Sequence, residues 1–260
     1  MNLFHRDLGG GGLPPLVVLH GLLGSSRNWQ VVGKDLSAWF HVLVLDLRNH
    51  GSSPRSEVMT CEAMAGDVLD WMDAQGLRRV TILGHSMGGK VAMLLACRHP
   101  GRFGRLIVVD IAPRDYFWPE RRVEFAALRG IDLGTLSSRA EAERLVEPLV
   151  PDWGMRRFLL TNLDRAEGGG WRWLANLPVL EGALDALEKN PLGEGDRFEG
   201  PALFITGEKS RYVGPGDHAA ILGHFPAAQI RTLRGAGHNP HMEAREAFVA
   251  LLSRFGPEPE

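Results

Sequence analysis

The chain has only two cysteines, Cys61 and Cys97, and each falls inside a helix-like segment. They stand in no metal-ligand spacing and form no disulfide framework, so no resident metal is expected and a reducing compartment is. Net charge is nearly absent as well: 29 Lys and Arg stand against 31 Asp and Glu, a formal -2. With no basic excess, nothing favours nucleic acid or an anionic membrane surface as a partner. Long apolar runs are missing. No stretch is long enough to span a bilayer, and residues 1–8 carry His5, Arg6 and Asp7 where a signal peptide would have an apolar segment. A cytoplasmic protein is therefore expected. What is present, 260 residues with 44% hydrophobic and 23% charged, suits one α/β domain carrying an insertion.

Short apolar runs alternate with longer amphipathic ones. Leu16–Leu19, Val42–Leu47, Val80–Leu83, Leu106–Ile111, Ala202–Thr206 and Gln229–Leu233 read as strands. Their continuous apolar character predicts a sheet covered on both faces, as parallel sheets are. Trp29–Ala38, Cys61–Gln75, Gly88–Arg98, Gly216–Leu222 and Glu243–Arg254 read as helices, and Leu3–Leu8 as an antiparallel edge strand. The fold class is α/β, a mostly parallel doubly wound sheet. The alternation breaks over 113–197, where only helix-like segments occur: Arg121–Leu128, Arg139–Leu149, Gly154–Leu163 and Leu180–Leu187. The organisation expected is a core of 1–112 and 198–260, with 113–197 a helical cap inserted after the strand ending at Asp110.

Gly84-His85-Ser86-Met87-Gly88 matches G-x-S-x-G between a strand and a helix. An ordinary Gly-rich turn would also match, but that context is the one a nucleophile elbow requires. Ser86 is the candidate nucleophile, on a tight turn whose flanking residues must be glycine. His20-Gly21-Leu22-Leu23-Gly24 follows the first long strand. Acyl transfer needs two N–H donors aimed at the oxyanion, and the backbone groups of Leu22 and Met87 are the candidates. His238, in the Gly-rich loop after the last strand, is the candidate base, with His241 as rival. His20 and His50 are expected to brace the loops around the site, His85 to fill the elbow, and His99, His218 and His224 to lie at the surface. Asp110 is the candidate acid, since an aspartate ending a buried strand is costly unless paired. Asp46 has the same look but precedes the serine, and reads as a brace for the 48–51 loop.

These residues, HGLLGS (20–25), DLRNHGSS (46–53), GHSMGGK (84–90), VVDIAP (108–113), LLTNL (159–163) and AGH (236–238), resemble the α/β-hydrolase superfamily. Within it they look like the YbfF-type bacterial esterases and their mitochondrial abhydrolase relatives. The resemblance implies an α/β-hydrolase fold and hydrolysis of a small carboxylic ester without a cofactor. One departure stands out. Many α/β-hydrolases carry the acid in a G-x-x-D pattern after the strand that here is ALFIT, and here that position is Ser210. The acid must come from elsewhere, Asp110 or, failing that, Glu208. A carbon–carbon bond hydrolase or lyase would keep the same residues and differ in the cap, and a ligand receptor would usually have a damaged triad. Trp118, Trp153, Trp171 and Trp173 all fall in the inserted segment and are expected to pack it and to offer apolar surface to a short acyl group.

Overall fold

The computed structural model describes residues 1–256; residues 257–260, counted with the core from the sequence, lie outside the described residues. Along the chain come β1 (His5–Asp7), β2 (Pro15–Leu19), α1 (Gln30–Leu36), β3 (His41–Leu45), α2 (Cys61–Ala74), β4 (Val80–His85), α3 (Met87–Arg98) and β5 (Phe103–Val109). Then follow α4 (Pro119–Arg129), α5 (Arg139–Val146), α6 (Trp153–Leu160), a hairpin of β6 (Leu163–Arg165) and β7 (Trp171–Trp173), α7 (Leu177–Gly182) and α8 (Leu184–Glu188). The chain returns through β8 (Ala202–Gly207), α9 (His218–His224), β9 (Ala228–Leu233), α10 (Pro240–Glu243) and α11 (Arg245–Phe255).

The large sheet has the order β1-β3-β2-β4-β5-β8-β9, parallel except for β1, which pairs antiparallel with β3. Alternate residues feed two cores. Val17, Leu19, Ile82, Leu106 and Val108 join Met64, Val68, Trp71 and Met93 of α2 and α3 on one face. Leu16, Val18, Leu83, Ile107 and Val109 meet Val32 and Leu36 of α1 and Phe248 and Leu252 of α11 on the other. Both faces are dry, so the strands read as unbroken apolar runs, each such side chain contributing about 1.5–3 kcal/mol. From β2 the chain turns one way to β3, and from β4 it builds the other way. This reversal opens a crevice at the carboxyl ends of β2 and β4, where α/β sheets bind ligands. His20 follows β2 there, and Ser86 follows β4.

The segment between β5 and β8 is helical, as the sequence indicated, but not only helical. Leu163 begins β6 rather than ending a helix, and β6 pairs antiparallel with β7. Gly168, Gly169 and Gly170 make the turn, all at positive φ (88, 101 and 77°), which side chains rarely tolerate. The single helix expected over 180–187 is two, α7 starting earlier with Pro178 in its first turn and α8 following after Ala183. Ser138 and Asp152 cap α5 and α6 through the N–H groups of Glu141 and Met155. One core side chain grips this segment from within: Lys90 of α3, fully buried, donates from Nζ to the carbonyls of Leu187, Glu188 and Lys189 at 2.8, 2.8 and 2.7 Å. Among the described residues no helix is long and apolar enough to cross a membrane.

Candidate active site

The turn from β4 into α3 is as tight as a turn can be. Ser86 sits at φ 51°, ψ -118°, its N–H bonded to the Val109 carbonyl at 3.0 Å. A Cβ on Gly84 would lie 2.2 Å from the Gly88 carbonyl oxygen, and one on Gly88 would lie 2.5 Å from that of Leu19. Glycine is thus required on both sides of the serine. No side chain caps α3, so the positive end of that helix is left open toward the crevice.

Ser86 Oγ lies 3.1 Å from His238 Nε2, and His238 Nδ1 lies 2.7 Å from Asp110 Oδ2. Asp110 stands one residue past β5, at φ 52°, with its Oδ1 accepting the Gly207 N–H at 3.1 Å. Ser210 donates its hydroxyl to Asp110 Oδ2. Ser210, which stands where the family's usual aspartate would, thus holds the carboxylate of Asp110. Glu208 points elsewhere, accepting the Gly235 N–H at 2.8 Å. The His238 ring stacks on Tyr212, centroids 3.6 Å apart, and its carbonyl accepts the Nε2–H of His85 at 2.8 Å. Burial pushes the Asp110 carboxyl up to about 7, against the hydrogen bonds from Ser210 and Gly207. Burial, with the nearby Arg121 guanidinium, holds the His238 imidazole well below its ordinary range, so the ring is neutral and free to accept a proton.

The loop after β2 is clamped around Leu23, a non-glycine residue at φ 59°. His50 Nε2 accepts its N–H at 3.2 Å, while His50 Nδ1 donates to the Arg48 carbonyl. Burial holds His50 down to about 3, which keeps it the neutral acceptor this bond needs. His20 Nε2 accepts the Leu47 N–H at 3.0 Å, and Asp46 accepts the N–H groups of Ser26 and Ser52 at 2.6 and 2.8 Å, bracing the neighbouring loop. Beside this frame, two buried donors are unused: among the described residues no hydrogen bond is made by the N–H of Leu22 or by that of Met87. Orphaned buried N–H groups are rare in proteins.

Ser86 and His238 face a narrow pocket of 20 Å³ with Leu22, Trp118, Arg121, Met155 and Phe158 on its walls. Phe158 also lines a groove of 590 Å³ beside Trp153 and Met242. Of the four tryptophans, Trp118 is thus at the pocket, Trp153 is exposed in the groove, and Trp171 and Trp173 pack against the core. Arg121, Met155, Phe158 and Tyr212 were not singled out in the sequence. Their only signal is membership of the segment and loops that follow β5 and β8. His241 is no partner of Ser86; it is buried in α10, stacked on Trp29 with centroids 4.2 Å apart. His224, expected at the surface, is half-buried and donates from Nδ1 to the Asp196 carbonyl. A hydroxyl held by a neutral imidazole, itself held by a carboxylate, is an arrangement that activates serine as a nucleophile.

A family model described as the alpha/beta hydrolase fold matches residues 14–130, and the chain belongs to the α/β-hydrolase family. Within that family it is 36% identical over 244 residues to esterase YbfF of Escherichia coli (strain K12), covering 93% of this chain and 92% of that protein. It is 37% identical over 250 residues to the sn-1-specific diacylglycerol lipase ABHD11 of Mus musculus, covering 94% of this chain and 81% of that one. Among solved structures, a marine microorganism esterase superposes with a TM-score of 0.95 at 36% identity, over 98% of this chain and 99% of that chain. The resemblance carried by the motifs thus extends along nearly the whole chain, inserted segment included.

Proposed function

We propose that this chain is a serine esterase that hydrolyses small or short-chain acyl esters through an acyl-enzyme. Ser86 is the nucleophile, His238 the general base and Asp110 the acid that fixes the imidazole and stabilises its charged form. His238 Nε2 takes the Ser86 proton as Oγ attacks the ester carbonyl. The oxyanion accepts the N–H groups of Leu22 and Met87. The tetrahedral intermediate collapses as His238 returns the proton to the leaving alcohol, and water then repeats the cycle on the acyl group. The observation that carries the reading is the hydrogen-bonded line from Ser86 to His238 to Asp110, 3.1 and 2.7 Å, beside two buried N–H groups that lack partners.

The relatives named esterase and lipase support ester chemistry, and the small volume at Ser86 supports a small acyl group. We take residues 113–197 as the cap over a core of 1–112 and 198–260, since Trp118, Arg121, Met155 and Phe158 roof the pocket. The unpaired thiols of Cys61 and Cys97 support a reducing setting such as the cytoplasm. A fluorophosphonate should label the wild type at Ser86 alone, and Ser86→Ala should abolish both labelling and turnover of nitrophenyl acetate. Turnover retained by Ser86→Ala overturns the assignment.

A further inference from the structure

Two of the sequence's motifs, LLTNL (159–163) and DLRNHGSS (46–53), have no part in the chemistry just described, yet they meet at one residue of the HGLLG loop. Asn162, nearly fully buried at the junction of α6 and β6, donates from Nδ2 to the Leu23 carbonyl at 2.7 Å. His50 takes the Leu23 N–H from the other side. The inserted segment also holds the His50 loop, since Asn176 donates its N–H to the Asn49 carbonyl at 2.9 Å and its Nδ2 to Asn49 Oδ1 at 3.0 Å. Leu23 needs such hands. At φ 59° it occupies a region that residues with side chains leave unless their surroundings hold them. Its neighbour is Leu22, whose N–H is one of the two unused donors at the pocket.

We propose that Asn162 is a positioning residue that ties the inserted segment to the oxyanion loop, so that the Leu22 N–H is aligned for catalysis only while that segment is docked. The proposal rests on the reading of Leu22 and Met87 as oxyanion donors. Asn162 touches no substrate; it acts through the strained Leu23. Without its amide, the Leu23 carbonyl is left buried without that donor, Leu23 is free to relax toward an ordinary conformation, and the Leu22 N–H that precedes it in the chain shifts with it. Docking of the insertion and completion of the oxyanion hole are then one event.

The test compares wild type, Asn162→Ala and the near-isosteric Asn162→Leu, which keeps the volume without the donor. Arg55→Ala serves as control: it removes another bond between core and insertion, from Nη2 to the Trp173 carbonyl, away from the HGLLG loop. Each protein is assayed at a temperature where its near-ultraviolet circular dichroism matches wild type, with nitrophenyl acetate and its thionoester analogue. The thiocarbonyl sulfur accepts hydrogen bonds poorly, so preference for the oxygen ester reports the oxyanion hole. Both Asn162 variants should lose roughly tenfold to hundredfold in kcat with KM little changed, the scale of a misplaced group, and should lose much of the oxygen-ester preference. Arg55→Ala should keep both. Wild-type kcat and preference in the Asn162 variants overturn the coupling, as does an equal loss in Arg55→Ala. A wild type indifferent to sulfur overturns the oxyanion reading itself, and the coupling with it.

Discussion

Replacing Asp110 by asparagine exchanges one oxygen for an NH₂, and the structure says what each orientation of the new amide must do. The Gly207 N–H points at Oδ1, so an amide that keeps this bond places its oxygen there and its NH₂ toward His238 Nδ1. Nδ1 is then obliged to accept, Nε2 carries the proton, and the imidazole donates to Ser86 Oγ when it should accept. The Ser210 hydroxyl, which now donates to Asp110, can turn to accept from the same NH₂ and favours this unproductive orientation further. Turning the amide over restores the tautomer but sets NH₂ against the Gly207 N–H, leaving a buried donor unpaired at a cost of about 1–3 kcal/mol. Even then the imidazolium formed in the transition state has lost a full negative charge. At an effective dielectric of about 20, opposite unit charges about 4 Å apart attract by about 4 kcal/mol. Together these losses, about 5–7 kcal/mol, lower kcat on the order of 10⁴-fold. The assay is steady-state hydrolysis of nitrophenyl acetate, with Glu208→Gln alongside, since the Glu208 carboxylate is turned to the Gly235 N–H. A kcat for Asp110→Asn within about tenfold of wild type, or a crippled Glu208→Gln, refutes the reasoning.

The pH profile follows from the same pair. On the roles proposed for them, activity needs an ionised Asp110 beside a neutral His238. With the Asp110 carboxyl raised to about 7, the pair takes up a proton as pH falls through that range, so kcat/KM should be flat above it and lost below. In Asp110→Asn the residual acid limb should move to lower pH, because only His238 remains to titrate and burial depresses it; an unmoved limb would contradict this. Phe158→Ala should open the narrow pocket into the adjoining groove. Each further methylene buried there adds about 0.8 kcal/mol, roughly fourfold in kcat/KM, so the optimum across nitrophenyl acetate, butyrate, hexanoate and octanoate should shift to longer chains. An unchanged profile would mean that Phe158 is not the barrier.

What could be read from the sequence is what depends on short stretches of chain. Leu16–Leu19 and Leu106–Val109 announce themselves because both faces of their sheet are covered, leaving no polar position to interrupt the run. The glycines that flank Ser86 are legible because one turn imposes their identities sterically. Asp110 stands out as a candidate through its place at a strand end and the serine at 210, and the structure sets it 2.7 Å from His238 Nδ1. The β6–β7 hairpin was missed because three-residue strands, Leu-Asp-Arg and Trp-Arg-Trp, are too short to show alternation. Arg121 and Tyr212 were beyond reach for another reason. Each meets His238 only because the chain has folded back across β5 and β8, and no local pattern encodes such a meeting.

The three carbonyls around Lys90 have a consequence in time. They belong to residues 97, 98 and 99 positions further along the chain. During synthesis α3 is complete long before α8 exists, and until then its lysine has no carbonyls to replace the water it must give up. An ammonium buried without partners costs several kcal/mol. The helix that follows Ser86 therefore gains full cover behind the sheet only when those carbonyls arrive. It waits for the far end of the insertion, and a nascent chain shorter than about 189 residues holds its serine on an unfinished turn.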